Sequence, residues 1–312
     1  MTDHTDPGTR LGLTILGGYL GAGKTTWARH QLHLGAFGPG VHVLVNEAAH
    51  AGVDDQLLPG PAQDVTLLAG GCACCIGLPR LIASLRDLCD RRSAGRHDLG
   101  HILLETSGLA DPGAIARALA ADPVLTRHLR ITAIITLVDA QNGLDQLARD
   151  ARFQAQVAAA DRLILTKTET APPRDLATLC AALSRLNPAV PPEAAHLGQP
   201  HPLPDLPPPG PLPLLADGVL DLTLVELDLP PVNWTRFALW LSALLHLRGE
   251  GLVRVKGLIP GPDGTILLQA VHRHVQPPEI LPPQDGPGHI VLFGQGLDAA
   301  TLTRALQRFA TA

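Results

Sequence analysis

The chain has 312 residues, 46% hydrophobic and 17% charged, a balance that excludes a disordered polar chain and allows one large core with a smaller domain beside it. A net charge of −5 and an aromatic content of 3% argue against a nucleic-acid surface built on basic patches or stacking rings. No apolar run reaches the ~18 residues of a membrane span, and Met1–Arg10 lacks the apolar core of a secretion signal, so the expectation is a cytoplasmic protein with no membrane partner, reduced thiols and a disordered N-terminus over residues 1–10.

Residues 11–16 form a short apolar run that predicts a strand, and a glycine-rich turn follows at once. Gly18 to Thr25 satisfies the phosphate-loop pattern, and the residues after it can continue as helix to Leu32. Gly21 and Gly23 let backbone N–H groups curl around phosphate oxygens at a helix N-terminus. Lys24 can reach β- and γ-phosphates, and the Thr25 hydroxyl can hold Mg²⁺. Val41–Val45 is a second strand, followed by a loop running to Asp54. Polar groups beyond a strand's C-terminal end face the ligand crevice of an α/β sheet, which makes Glu47, His50 and Asp54 candidate ligands for a metal, Mg²⁺ or water.

Val65–Leu68, a further strand, leads into Cys72-Ala73-Cys74-Cys75, where three of the five cysteines fall between Gly70-Gly71 and Gly77. Thiolates at that density suit a soft or borderline ion such as zinc, copper(I) or cobalt. At most three ligands come from the motif, which favours an open, exchangeable site over a closed structural one. Three other readings stand beside this one: packed small apolar residues, half of a structural zinc site without its second pair, and a strained disulfide. Helical periodicity over Leu78–Arg91 follows, with Cys89 as a packed residue.

His101–Pro112 reads as a buried strand ending in acid, hydroxyls and glycine. Glu105 there can orient Mg²⁺ or its water, and the Gly108 N–H can touch a γ-phosphate. Two more strands follow: Ile131–Val138, closed by Asp139, and the run beginning at Arg162. The latter ends in Lys167-Thr168-Glu169, where the Lys167 stem can cover a base and Glu169 can accept from the N1 and N2 amines of guanine. Eleven prolines between 188 and 213 predict a semi-rigid linker over 188–218. Residues 219–312 then read as a small α/β domain, with strands at 220–229, 252–259, 265–275 and 289–293, a helix capped by Asn233, and a last helix at 297–309. His272 and His274 alternate along one of those strands and are expected to be packing or surface residues.

Together these motifs resemble the CobW-type metal-insertion GTPases, relatives of the nickel GTPases and of nitrile hydratase activators. The matching residues are Gly18–Thr26, Asn46-Glu47, Gly70–Cys75, Glu105–Gly108, Val138-Asp139 and Thr166-Lys167, with Arg254–Ile259, Gln269–His274 and Ile290–Gly294 in the second domain. The resemblance implies an α/β fold: a P-loop NTPase (SIMIBI-type GTPase) domain over 11–187 and a smaller C-terminal CobW-type α/β domain over 219–312. It implies GTP hydrolysis with Mg²⁺, Lys24, Thr25 and Glu105 in catalytic roles, and Gly18, Gly21, Gly23, Thr26, Gly108, Thr166, Lys167 and Glu169 around the nucleotide. No phosphate-loop glutamine is evident to orient the attacking water, so slow intrinsic turnover is expected. It further implies Zn²⁺ or Co²⁺ held at Cys72, Cys74 and Cys75 near Glu47, His50 and Asp54, a client metalloprotein as partner, and a nucleotide-dependent dimer. A nucleotide-gated metal sensor with negligible hydrolysis is the alternative expectation. The chain departs from the family pattern in two places. Ala48-Ala49-His50 stands where the family loop runs Phe-Gly-Glu, and Glu169 stands where Asp is usual.

Overall fold

The computed structural model describes residues 10–46, 64–68, 77–95, 98–213, 222–229, 232–261, 264–283 and 286–310, and the chain divides into two compact units, Met1–Val219 and Leu220–Ala312. The first unit is built on β1 (Leu11–Gly18), whose residues are all buried. A parallel strand covered on both faces has to be apolar throughout, so it reads as a continuous run and not as an alternation. From β1 the chain passes through α1 (Lys24–His33) to β2 (Val41–Asn46), β3 (Asp64–Leu67), α2 (Leu78–Ser93) and β4 (His101–Thr106). Next come α3 (Pro112–Ala121), a short α4 (Leu125–His128), β5 (Leu129–Asp139), α5 (Gly143–Arg149), α6 (Ala151–Ala159) and β6 (Arg162–Thr166). The unit closes with α7 (Pro173–Leu186), β7 (Pro192–His196) and β8 (Gln199–His201).

Across the sheet the order is β3-β2-β4-β1-β5-β6-β7-β8. Every neighbouring pair is parallel except β7 with β8. The chain therefore leaves β1 toward one edge and, after β4, continues toward the other. Such a reversal opens a crevice at the C-terminal ends of the strands, and the segments after β1, β4, β5 and β6 all start at that edge.

The linker expected over 188–218 begins later than the prolines suggest. β7 pairs with β6, Leu163 opposite Pro192 and Thr166 opposite Ala195, and Ala194 and Ala195 are buried. Proline is tolerated as the first residue of a strand, so Pro192 opens β7 instead of excluding it. Residues 202–213 have no regular structure, yet Leu203 and Leu206 pack on the core beneath α7. There the Gly210 N–H donates to Thr178 Oγ1 at 2.8 Å. This stretch is a strap on the first unit.

The second unit comprises β9 (Leu222–Leu229), α8 (Trp234–Arg248), β10 (Leu252–Gly261), β11 (Gly264–Val271), β12 (His274–Val275), β13 (Glu279–Leu281), β14 (Gly288–Gln295) and α9 (Ala299–Phe309). The antiparallel sheet runs β12-β11-β10-β14-β9, with β13 also on β11. Buried and exposed residues alternate along β9, as in a sheet covered on one face. On that face Phe237, Trp240 and Leu244 of α8 and Leu302 and Leu306 of α9 join Val225, Val255 and Leu292 in one core. Asn233 caps α8 as expected, its Oδ1 accepting from the Arg236 N–H at 3.1 Å. The expected strand 265–275 is in fact a hairpin. β11 stops at Val271, His272 takes φ 51 in the turn, and His274 pairs back onto Val271. His272 and His274 therefore flank a chain reversal and do not alternate along one strand. Among the described residues no helix is long and apolar enough to cross a membrane.

Candidate functional site

β1 ends at Gly18, where φ is 133 and a Cβ would lie 2.5 Å from the Leu137 carbonyl oxygen, so only glycine fits. Gly21 and Gly23 also take left-handed φ values, 77 and 83, and nothing stands within 4 Å of where their side chains would be. Gly23 is the N-cap of α1, and the first intrahelical bond runs from the Trp27 N–H to the Gly23 carbonyl. The N–H groups of Lys24, Thr25 and Thr26 thus belong to the helix turn that lacks intrahelical acceptors, a natural seat for an anion. The Lys24 ammonium folds back over the loop and donates to the Gly18 and Tyr19 carbonyls at 2.9 and 3.1 Å.

Thr25 Oγ1 donates to Glu105 Oε1 at 2.6 Å, which joins the start of α1 to the buried end of β4. Between them lies a cavity of about 240 Å³, lined by the phosphate loop and α1, by Val45 and Asn46 of β2, and by Glu105 to Gly108. Sites for whole drug-sized ligands run from about 300 to 1,000 Å³, so this cavity suits a phosphate chain better than an entire nucleotide. The Thr25 hydroxyl and the Glu105 carboxylate are hard oxygen donors and fit a hard divalent cation such as Mg²⁺. Gly108 packs so closely that a Cβ there would lie 2.6 Å from the Leu20 nitrogen, bringing the loop after β4 against the phosphate loop. In the sequence Asn46 stands out only as part of a motif. It is 2% exposed, lines the cavity, and its Nδ2 has no partner among the described residues. A buried donor of that kind calls for a ligand acceptor.

The other end of the crevice lies beyond β5 and β6. Thr166 Oγ1 donates to the Ala22 carbonyl at 3.0 Å, so this residue ties β6 to the phosphate loop. Lys167, at φ 58, extends Nζ to Oδ2 of buried Asp139 at 2.7 Å. Burial pushes the Asp139 carboxyl up, but hydrogen bonds from Lys167, Asn142 and the Gln141 N–H outweigh it and hold the group below the usual carboxylate range. Glu169 Oε2 lies 3.2 Å from His196 Nδ1 on β7. Its own backbone N–H, with His196 adding to it, keeps its carboxyl low against the opposing effect of burial. Neither Lys167 nor Glu169 lines the phosphate cavity.

Cys72, Cys74, Cys75, Glu47, His50 and Asp54 lie outside the described residues. β3, ending at Leu67, and α2, starting at Leu78, are the described elements on either side of the cysteine motif. Among the described residues no group of three or more His, Cys, Asp or Glu is arranged to hold a metal. Cys89 is buried in α2 as expected, and burial pushes its thiol up to about 11, which leaves it unreactive.

Residues 12–192 match the CobW/HypB/UreG nucleotide-binding domain, and residues 228–310 match the C-terminal domain of the cobalamin synthesis protein CobW. The chain is 36% identical to the zinc chaperone YjiA of Escherichia coli over 58% of its own length and 56% of that relative, so the aligned stretch spans little more than half of YjiA. It is 30% identical to the zinc chaperone CobW of Pseudomonas aeruginosa over 96% of this chain and 91% of that one. The crystal structure of Zn(II)-bound YjiA GTPase from E. coli superposes with a TM-score of 0.63 at 25% identity, over 96% of this chain and 99% of that one.

Proposed function

The chain belongs to the CobW/HypB/UreG family, with a P-loop GTPase fold and a CobW-type second domain, and from that premise we propose that it is a GTP-dependent zinc chaperone. It binds zinc while a triphosphate fills the phosphate cavity and passes the ion to a client metalloprotein on hydrolysis. One observation carries this reading: Lys24, the Thr25–Glu105 pair, Asn46 and Gly108 converge on a single cavity at a helix N-terminus. Zinc is preferred over cobalt because the relatives matched above are named zinc chaperones.

The backbone N–H groups from Gly21 to Thr26 bind the β- and γ-phosphates. Lys24 Nζ leaves the Gly18 and Tyr19 carbonyls for phosphate oxygens, exchanging neutral acceptors for charged ones. Thr25 and Glu105 hold Mg²⁺, which when bound supplies positive charge against the charge building on the phosphate oxygens. The Asn46 amide and the Gly108 N–H close on the γ-phosphate, Lys167 covers the base, and Glu169 reads its amines. Cys72, Cys74 and Cys75 take the zinc, with Glu47, His50 and Asp54 as neighbouring donors, and γ-phosphate contacts order the segments that carry them. Loss of the γ-phosphate relaxes those segments.

Phosphate-release assays with GTP and with ATP, in Mg²⁺, test the enzyme. Slow hydrolysis of GTP and little of ATP is expected. Tight GTP binding with no release under any condition contradicts the chaperone and favours a sensor. Cys74→Ser is expected to weaken zinc binding at least about tenfold while GTP binding is retained; zinc binding equal to the parent removes the proposed ligand set.

A further inference from the structure

We propose that α6 is the strut that sets the spacing between the phosphate loop and the loop after β4, and that Gln156 is the positioning residue for Gly108 at the γ-phosphate. This rests on the nucleotide reading above and adds to it a residue far from the motifs. Asp150 at the N-cap of α6, and Phe153 and Gln156 within it, recur every third residue.

The N-terminal end of α6 holds the phosphate loop. Asp150 caps α6 through the Arg152 N–H at 2.9 Å, and its Oδ2 accepts from the Tyr19 hydroxyl at 3.0 Å. The Tyr19 ring stands edge-on to Phe153, which is fully buried, with centroids 5.6 Å apart. The Tyr19 carbonyl also accepts from Lys24 Nζ.

The C-terminal end of α6 holds the other loop. Gln156 is fully buried, and its Nε2 donates to the Ala110 carbonyl at 2.6 Å and to the Gly108 carbonyl at 3.2 Å. Its own carbonyl accepts from Thr136 Oγ1 of β5 at 3.0 Å, so the gripping residue is itself pinned to the sheet. Gly108 is thereby held between Gln156 behind and Leu20 in front, where even a methyl group would clash. Gln156 Oε1 has no partner among the described residues. An apolar side chain of similar length would bury no such orphan oxygen, so what the amide contributes here is its two bonds to the loop.

A diphosphate has nothing to offer Gly108, whereas a triphosphate does. A loop already fixed by Gln156 loses little freedom when the γ-phosphate arrives, and that saving accrues to the triphosphate alone. The Tyr19–Asp150 bond supports the phosphate loop that both nucleotides use.

The test measures dissociation constants of GDP and of a non-hydrolysable GTP analogue for the full chain, alongside thermal unfolding of the nucleotide-free protein. Gln156→Met is expected to weaken the analogue about tenfold and GDP by less than about twofold. Gln156→Asn, which keeps an amide but shortens its reach, shows the same split to a smaller degree and serves if the Met protein does not fold. Tyr19→Phe weakens both nucleotides by a similar small factor. If the Gln156 variants shift both nucleotides equally, or lower only the unfolding temperature, the positioning role is overturned. If the parent binds neither nucleotide, the functional reading falls and this inference with it; a parent that binds both beside variants with an unchanged ratio defeats the inference alone.

Discussion

At the phosphate end of the crevice the side chains proposed to meet the ligand already have partners in the protein. Lys24 rests on two loop carbonyls and Thr25 on Glu105, at 2.6 to 3.1 Å. At the end beyond β5 and β6, Lys167 is anchored on a buried aspartate while Glu169 stands half in solvent against His196. In the proposed reading, binding at the first end is an exchange of partners within a preformed frame. Recognition at the second, in the same reading, depends on one half-buried ion pair and one exposed contact, so substitutions there should be smaller in effect and more selective.

The largest expected effect is at Lys24. Lys24→Ala removes charge-assisted bonds to the phosphates and should weaken the triphosphate about a hundredfold, measured by fluorescent-nucleotide titration. A loss below about fivefold would mean the backbone cradle alone holds the nucleotide. Next is Asp139→Ala, which leaves Lys167 without its buried acceptor. Because Lys167 is 38% exposed, the loss of stability is expected near 2 kcal/mol in urea unfolding, short of a fully buried pair, and guanine preference should fall with it. Glu169→Ala is expected to reduce discrimination of GTP over ITP about fivefold without changing triphosphate-over-diphosphate preference; an unchanged GTP-to-ITP ratio would remove Glu169 from base reading.

A final effect arises away from the crevice. His101, at the N-terminal end of β4, hydrogen-bonds Thr14 and stacks on Phe37, and burial, with Arg130 adding to it, pushes its imidazole down to about 4. The folded state then refuses a proton that the unfolded chain accepts below about 6.5. Stability is therefore flat above neutrality and declines as pH falls from about 6.5 toward 4, by about 1 kcal/mol at pH 5.5. His101→Gln should flatten that slope; an unaltered slope would assign it to other groups.

The phosphate loop was legible because its glycines have a backbone reason that survives in sequence order, and the strands because burial on both faces leaves unbroken apolar runs. The rest was hidden for physical causes. Pro191-Pro192 masked β7, since the sequence does not reveal that the proline sits at a strand's first residue. The run from Thr265 to Val275 concealed a hairpin because a histidine, not glycine or asparagine, takes the left-handed turn position. Lys167 was expected over a base, and its anchor on Asp139 depends on two strands being neighbours. Helix α6 left no motif, and the residues it ties together are 48 and 131 positions apart. The cysteine motif remains a reading of residues alone.

The claim on which the account turns is that nucleotide and metal tighten each other's binding by the same factor. Anaerobic zinc titration against a competing chelator, with the protein carrying GDP or a non-hydrolysable GTP analogue, measures it directly. Zinc affinity is expected to be at least about tenfold higher with the analogue, in the usual range of such couplings. Equal affinity in the two states would contradict it.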